Sequence, residues 1–148
     1  MAEGKRQKAK NRNTGKGNGY SIIYLSKNGI MLSLGHKKMK AYQLALSLVK
    51  EVYKLTSNFP VDERFGLVSQ LRRAAVSVCS NIAEGAARKS PADRRRFYEI
   101  SRSSCVEIDT QFELALQLGF VKPDQVTDLN EYLNYTFAII SKMIDNTK

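Results

Sequence analysis

From Lys38 onward, apolar residues return every three or four positions, the spacing that places side chains on one face of an α-helix. In the first such stretch Met39, Tyr42, Ala45, Val49, Val52 and Thr56 form one stripe, and Leu44, Leu48 and Leu55 form a second. Asn58-Phe59-Pro60 ends this helix, because a proline disfavours helical geometry in the residue before it. A second helix is predicted from Pro60–Asp62 to about Arg88. Asp62 and Glu63 would lie in its first turn, where the helix dipole favours anions. Its core face reads Leu67, Leu71, Ala74, Val78, Ile82 and Gly85.

Ser90-Pro91-Ala92-Asp93 opens a third helix: serine as N-cap, proline in the first helical position and an acid three residues after the cap. This helix follows Phe97, Ile100, Ser104, Ile108, Gln111, Ala115 and Leu118, and Gly119 is placed to end it. A fourth begins near Pro123-Asp124 and follows Val126, Leu129, Leu133, Thr136, Ile140 and Met143 or Ile144. Short connections between four long helices predict an all-α, antiparallel up-down-up-down four-helix bundle over residues 38–148.

The apolar faces are wider than a solitary bundle requires. Tyr98, Cys105 and Phe112 recur every seven residues on the third helix, Tyr132, Tyr135 and Ile139 widen the fourth, and Leu44, Leu48 and Leu55 widen the first. A helix of a lone bundle needs one stripe, so the second stripes are expected to form a self-association surface. In the second helix Ala74, Ala75, Ser77, Ser80, Ala83, Gly85, Ala86 and Ala87 carry little bulk and admit a close neighbour. Arg73, Ser77, Asn81, Glu84 and Arg88, at steps of three or four, share one face.

Residues 1–37 read differently. Met1 to Gly19 is polar, basic and rich in Gly and Asn, and is expected to be disordered because it cannot bury enough surface to offset its ordering entropy. The apolar runs 20–25 and 30–34 flank Ser26-Lys27-Asn28-Gly29, a hairpin signal, although an isolated two-stranded hairpin is marginal in water. The favoured expectation is a leader of no structural importance, with Met39 as an alternative start.

Charge adds a partner class. The net charge is +10, which suggests a polyanion. Residues 1–38 hold nine Lys/Arg and one acid, so most of the basicity belongs to the tail. Residues 64–102 hold nine arginines and lysines against Glu84, Asp93 and Glu99, net +6, whereas 103–148 hold three lysines against seven acids, net −4. Arg88, Lys89, Arg94, Arg95 and Arg96 are therefore the candidate nucleic-acid-binding residues, grouped around one turn.

Catalytic chemistry has little to work with. The single histidine, His36, precedes the first helix, so no Ser-His or Cys-His pair is expected within the bundle. Cys79 and Cys105 suit a reducing cytoplasm and small buried positions better than a disulfide framework. No Glu-x-x-His pair, zinc spacing or phosphate loop is present, so neither a metal nor a cofactor is expected. No apolar run reaches the length of a membrane span. Glu84 and Glu107 fall mid-helix near core positions, where a charge must be paired. With Arg72, Arg73, Asn81 and Ser104 they are candidates for a buried structural polar network, Glu84 pairing with Arg88.

Gln70-Leu71-Arg72-Arg73-Ala74-Ala75-Val76-Ser77, then Ser80-Asn81-Ile82-Ala83-Glu84-Gly85 and Arg88, resembles the signature of the bacterial four-helix-bundle proteins encoded within intervening sequences of 23S ribosomal RNA genes. Tyr53-Lys54-Leu55-Thr56, Phe59-Pro60, Ser104, Glu107 and Leu118-Gly119-Phe120 agree with it. Tyr42 stands where the family pattern has tryptophan, Ser101 and Ser103 where it has Ala and Gly, and Cys79 where proline is common. The resemblance covers about Lys38 to the carboxy terminus. It implies a small bundle without known catalysis, assembling as a homopentameric ring. A related bundle, in diversity-generating retroelements, is a basic ring that binds nucleic acid and a polymerase. The expected function is thus a non-enzymatic oligomer that binds structured RNA or another nucleic acid through its arginine-rich zone. The alternative is a protein-docking scaffold, using helix-three positions such as Tyr98 and Phe112.

Overall fold

A computed structural model describes residues 23–26, 29–32 and 34–147. The chain divides into two compact units, Met1–Ser33 and Leu34–Lys148. In the first, strands β1 (Ile23–Ser26) and β2 (Gly29–Leu32) pair antiparallel, with Ile23 opposite Leu32 and Ser26 opposite Gly29. The disorder expected at 1–19 falls outside the described residues.

The second unit is the four-helix bundle: α1 (Lys40–Thr56), α2 (Leu67–Ala87), α3 (Pro91–Gln117) and α4 (Thr127–Asp145). Each helix packs on its neighbours in sequence, and α1 closes the ring against α4. The α1 side of the bundle thus meets α2 and α4, and α3 also lies between them.

Local chemistry sets the helix ends. A 3-10 turn at Gly35–Lys38 precedes α1. The second helix begins later than the predicted 60–62. Pro60 instead leads into a 3-10 turn, Val61–Arg64, and Gly66, with φ −95° and ψ −117°, breaks the backbone before α2. The Glu63 carboxylate accepts the Leu67 N–H at 3.0 Å, so the acid serves the helix end from outside it. Ser90 caps α3 as predicted, accepting the Asp93 N–H at 3.4 Å with Pro91 in the first position. Gly119, at φ +72°, ends α3. Its N–H donates to the Leu116 carbonyl and the Phe120 N–H to Ala115, the paired bonds of a Schellman ending. Phe120 then packs on Phe59, 5.8 Å between ring centres, beside Phe112. A further 3-10 turn, Pro123–Val126, precedes α4.

The core runs the length of the bundle through Leu48, Val52, Leu71, Val78, Ile82, Ile108, Leu129, Ile140 and Ile144, all essentially without solvent contact. Burying each such side chain contributes about 1.5–3 kcal/mol. The predicted core of α2 is buried apart from the half-buried Leu67, and α4 follows its predicted stripe. On α1 and α3 the roles of the stripes change. Leu48, Leu55, Tyr98, Cys105 and Phe112, expected on an outer surface, lie inside the single chain, while Ile100 and Leu118 are exposed. Because α3 touches both α2 and α4, it buries a broad face, and the extra stripe fills the bundle's own interior.

Candidate nucleic-acid interface

The turn between α2 and α3 carries the five predicted cations, and their geometry separates them. The Arg88 guanidinium donates to Glu84 Oε2 at 2.7 Å and lies over the Phe97 ring, 4.6 Å from its centre. Arg95 Nε donates to Glu99 Oε1 at 2.9 Å. Both pairs are i,i+4 and about half-exposed, so each neutralises part of the positive field. Arg94 turns inward: its Nη2 donates to the Arg88 carbonyl at 3.0 Å, tying the end of α2 to the first turn of α3, and its Nε is buried with no hydrogen-bond partner among the described residues. Lys89 and Arg96 are exposed and form no ion pair with the described residues.

Topology brings further cations to this end. The up-down order places the start of α1 and the end of α4 beside the α2–α3 turn, and the 3-10 turn before α1 packs on α2. Lys37, Lys38, Lys40 and Lys142 therefore belong to the same end of the bundle. Counting charge along the sequence assigns Lys37 and Lys38 to the tail and passes over Lys142. The signal that would have found them is the predicted antiparallel order itself.

The predicted polar network resolves into separate groups. Between α2 and α3 the Asn81 side-chain amide donates to the Ser77 carbonyl at 2.8 Å and to Ser77 Oγ at 3.1 Å. Ser77 Oγ meets Ser104 Oγ at 2.9 Å, and Ser104 in turn donates to the Ile100 carbonyl. Ser101, which sequence reasoning treats merely as a substitution, donates to the Val78 carbonyl at 2.8 Å in the buried seam. On the other side of α2, Arg72 Nε donates to Thr56 Oγ1 at 2.9 Å while its guanidinium covers the Tyr53 ring. Arg73 is exposed.

Glu84 and Glu107 depart from expectation: both are exposed rather than near the core. Each precedes a buried residue, Gly85 and Ile108, and the 100° step between neighbours on a helix turns the acid outward. Among the described residues Glu84 pairs with Arg88, and Glu107 accepts from the Gln111 amide at 3.1 Å. Neither belongs to the serine–asparagine seam.

Cys79 and Cys105 are buried, and burial pushes the Cys105 thiol up to about 12, far from a reactive thiolate. No group of three or more metal-ligating side chains occurs among the described residues. No helix among them is long and apolar enough to cross a membrane.

The model of the 23S rRNA-intervening sequence protein family matches residues 37–144. The chain belongs to that family. Among solved structures, the fold is similar to a protein of unknown function from the S23 ribosomal protein family of Bacteroides thetaiotaomicron. The identity is 19%, the TM-score 0.64, and the match covers 72% of this chain and 99% of that one. No curated protein matches the chain. Neither the family's name nor the neighbour's names an enzyme. The matched residues of this 23S rRNA-intervening sequence protein contain all four helices but for the last residue of α4.

Proposed function

We propose that the protein is a non-catalytic, oligomeric bundle of the cytoplasm that binds structured RNA, or another nucleic acid, through the end formed by the α2–α3 turn. One observation carries this reading: Lys89 and Arg96 are exposed and form no ion pair among the described residues, beside Arg88 and Arg95 and at the same end as the lysines of α1 and α4. Such a surface neutralises phosphates and releases counterions. The family's ribosomal RNA name supports RNA as the polyanion. Phe97 does not supply base stacking there, because Arg88 already covers its ring.

The test is RNA affinity as a function of salt. Replacing Lys89 and Arg96 together by alanine spares the Arg94 tie within the turn. The slope of log affinity against log salt should fall by about 2, near 0.9 for each phosphate left without its cation. Absence of binding by the unaltered protein at low salt would end this reading. The rival, a protein-docking scaffold, cannot use Tyr98 or Phe112, which are buried. Its most exposed apolar candidates among the described residues are Val61 and Phe65, 84% and 89% exposed, at the opposite end.

A further inference from the structure

The basic turn offers phosphates a partner but offers bases none. Its rings are already engaged: Phe97 lies under Arg88, Tyr98 is buried, and Tyr42 is half-buried with His36 edge-on at 4.7 Å between ring centres. The exposed rings among the described residues of the bundle lie elsewhere. Tyr135 and Phe137 are on α4, within the acidic stretch 103–148. Tyr53 and Phe65 line a groove of about 560 Å³ that crosses the end of α1 and the first half of α2.

Arg64, Arg72 and Arg73 line the same groove, and no carboxylate does. None of the three forms an ion pair among the described residues, and the neighbouring Glu63 carboxylate accepts the Leu67 N–H instead. The Arg64 guanidinium lies over the Phe65 ring, 5.6 Å from its centre, yet that ring is 89% exposed. Arg72 lies over Tyr53 at 4.6 Å and is held there by its bond to Thr56 Oγ1. Uncompensated guanidinium groups set against open rings therefore occur here and not at the α2–α3 turn.

We infer that this groove binds unpaired nucleotides of the RNA, with a base stacked on Phe65 and its phosphates held by Arg72 and Arg73. The inference rests on the RNA ligand of the function proposed above and adds a second site of different chemistry. A duplex presents phosphates and hides the faces of its bases, so it has no use for a groove lined by rings. An unpaired nucleotide has both a face to stack and a phosphate to neutralise, and every base has such a face. An acidic protein segment would match the arginines, but the flat guanidinium–ring pairs at Phe65 and Tyr53 suit a planar base better than branched side chains. Arg73 and Arg88 lie on one face of α2, roughly 22 Å apart along its axis. One folded RNA thus reaches both sites, paired at the turn and open at the groove.

The test compares a hairpin carrying a single-stranded loop with a blunt duplex of the same stem, each titrated against the full chain. Phe65 and Arg73 are exposed, so Phe65→Ala and Arg73→Gln should leave far-UV circular dichroism and sedimentation unchanged. Phe65→Ala should weaken hairpin binding at least about fivefold and leave duplex binding as it was. Arg73→Gln should lower the salt slope for the hairpin by about 0.7 and for the duplex not at all. The chain has no tryptophan, so Phe65→Trp supplies a single fluorescent reporter. The hairpin should bind that variant with undiminished affinity and quench it, and the duplex should not quench it. Equal losses for both RNAs, losses accompanied by a change in sedimentation, or an unquenched reporter overturn the inference. A reporter that responds to an acidic helical peptide and not to the hairpin overturns it in favour of a protein segment. Hairpin and duplex that both bind through Lys89 and Arg96 and ignore Phe65 sink this inference alone. A hairpin that binds through Phe65 and ignores Lys89 and Arg96 sinks the role of the turn and leaves the groove standing. Binding of neither RNA ends both.

Discussion

Gly85 lies against the ring of Tyr98: a Cβ added there would stand 2.5 Å from Cε1 and 2.8 Å from Cδ1, with the Arg94 carbonyl oxygen at 3.2 Å. The absent side chain is what lets the end of α2 approach the start of α3, where the basic turn is built. Tyr98 is 4% exposed and its ring has no free space to enter. Gly85→Ala gains about 0.5–1 kcal/mol in helix preference and loses more through overpacking. A net loss of about 1–2 kcal/mol in urea unfolding is expected. Adding Tyr98→Ala should make the two effects clearly non-additive, because the clash disappears with the ring. Additive losses would show that the contact is not the cause.

Gly119 tests a different property of glycine. Nothing lies within 4 Å of where its Cβ would be, yet its φ is +72°. Gly119→Ala therefore meets no clash, and its cost is that of left-handed backbone alone. The expected loss is about 1–2 kcal/mol, with no change in the RNA affinity of the distant turn. A neutral substitution would mean that the Schellman ending is dispensable for joining α3 to α4.

Much of this was legible in the sequence because it is local. Ser90-Pro91, Gly119 and the period of three to four in α2 and α4 each act within a turn or two of helix. What resisted reading depends on neighbours. Tyr98, Cys105 and Phe112 form a perfect outer stripe in sequence, but α3 is wedged between α2 and α4 and buries it. Glu84 falls mid-helix beside the core position Gly85, and a single 100° step separates core from solvent. Ser101 gave no local signal, since its partner is a carbonyl 23 residues away. The arginine-rich turn was legible as composition, but not that Arg94 is structural while Lys89 and Arg96 face outward.

Glu84→Gln should be nearly silent in stability. The Glu84 and Arg88 side chains are 53% and 45% exposed, and such pairs contribute little. A change below about 0.5 kcal/mol in urea unfolding is expected. Releasing Arg88 from its carboxylate should at the same time strengthen RNA binding at low salt. A large loss of stability would restore Glu84 to the role of a buried clamp, contrary to its exposure.

The protein should weaken in alkali, and Cys105 should set most of the slope. Burial raises the Cys105 thiol from 9.0 to about 12. Burial also raises Cys79 and, despite the nearby Arg94, Tyr98. Between pH 9 and 12 the unfolded chain gives up the Cys105 proton and the folded chain keeps it. The unfolded state then binds fewer protons, so stability falls as pH rises. The stability linked to this thiol is complete below pH 9 and is lost toward pH 12, at no more than about 1.4 kcal/mol per pH unit. Urea unfolding at pH 7, 9 and 10 should show a decline that begins above about 9. Cys105→Ala, although less stable throughout because it leaves a small cavity, should decline less steeply than the unaltered chain. Parallel slopes for the two proteins would assign the alkaline loss to the tyrosines and Cys79 instead.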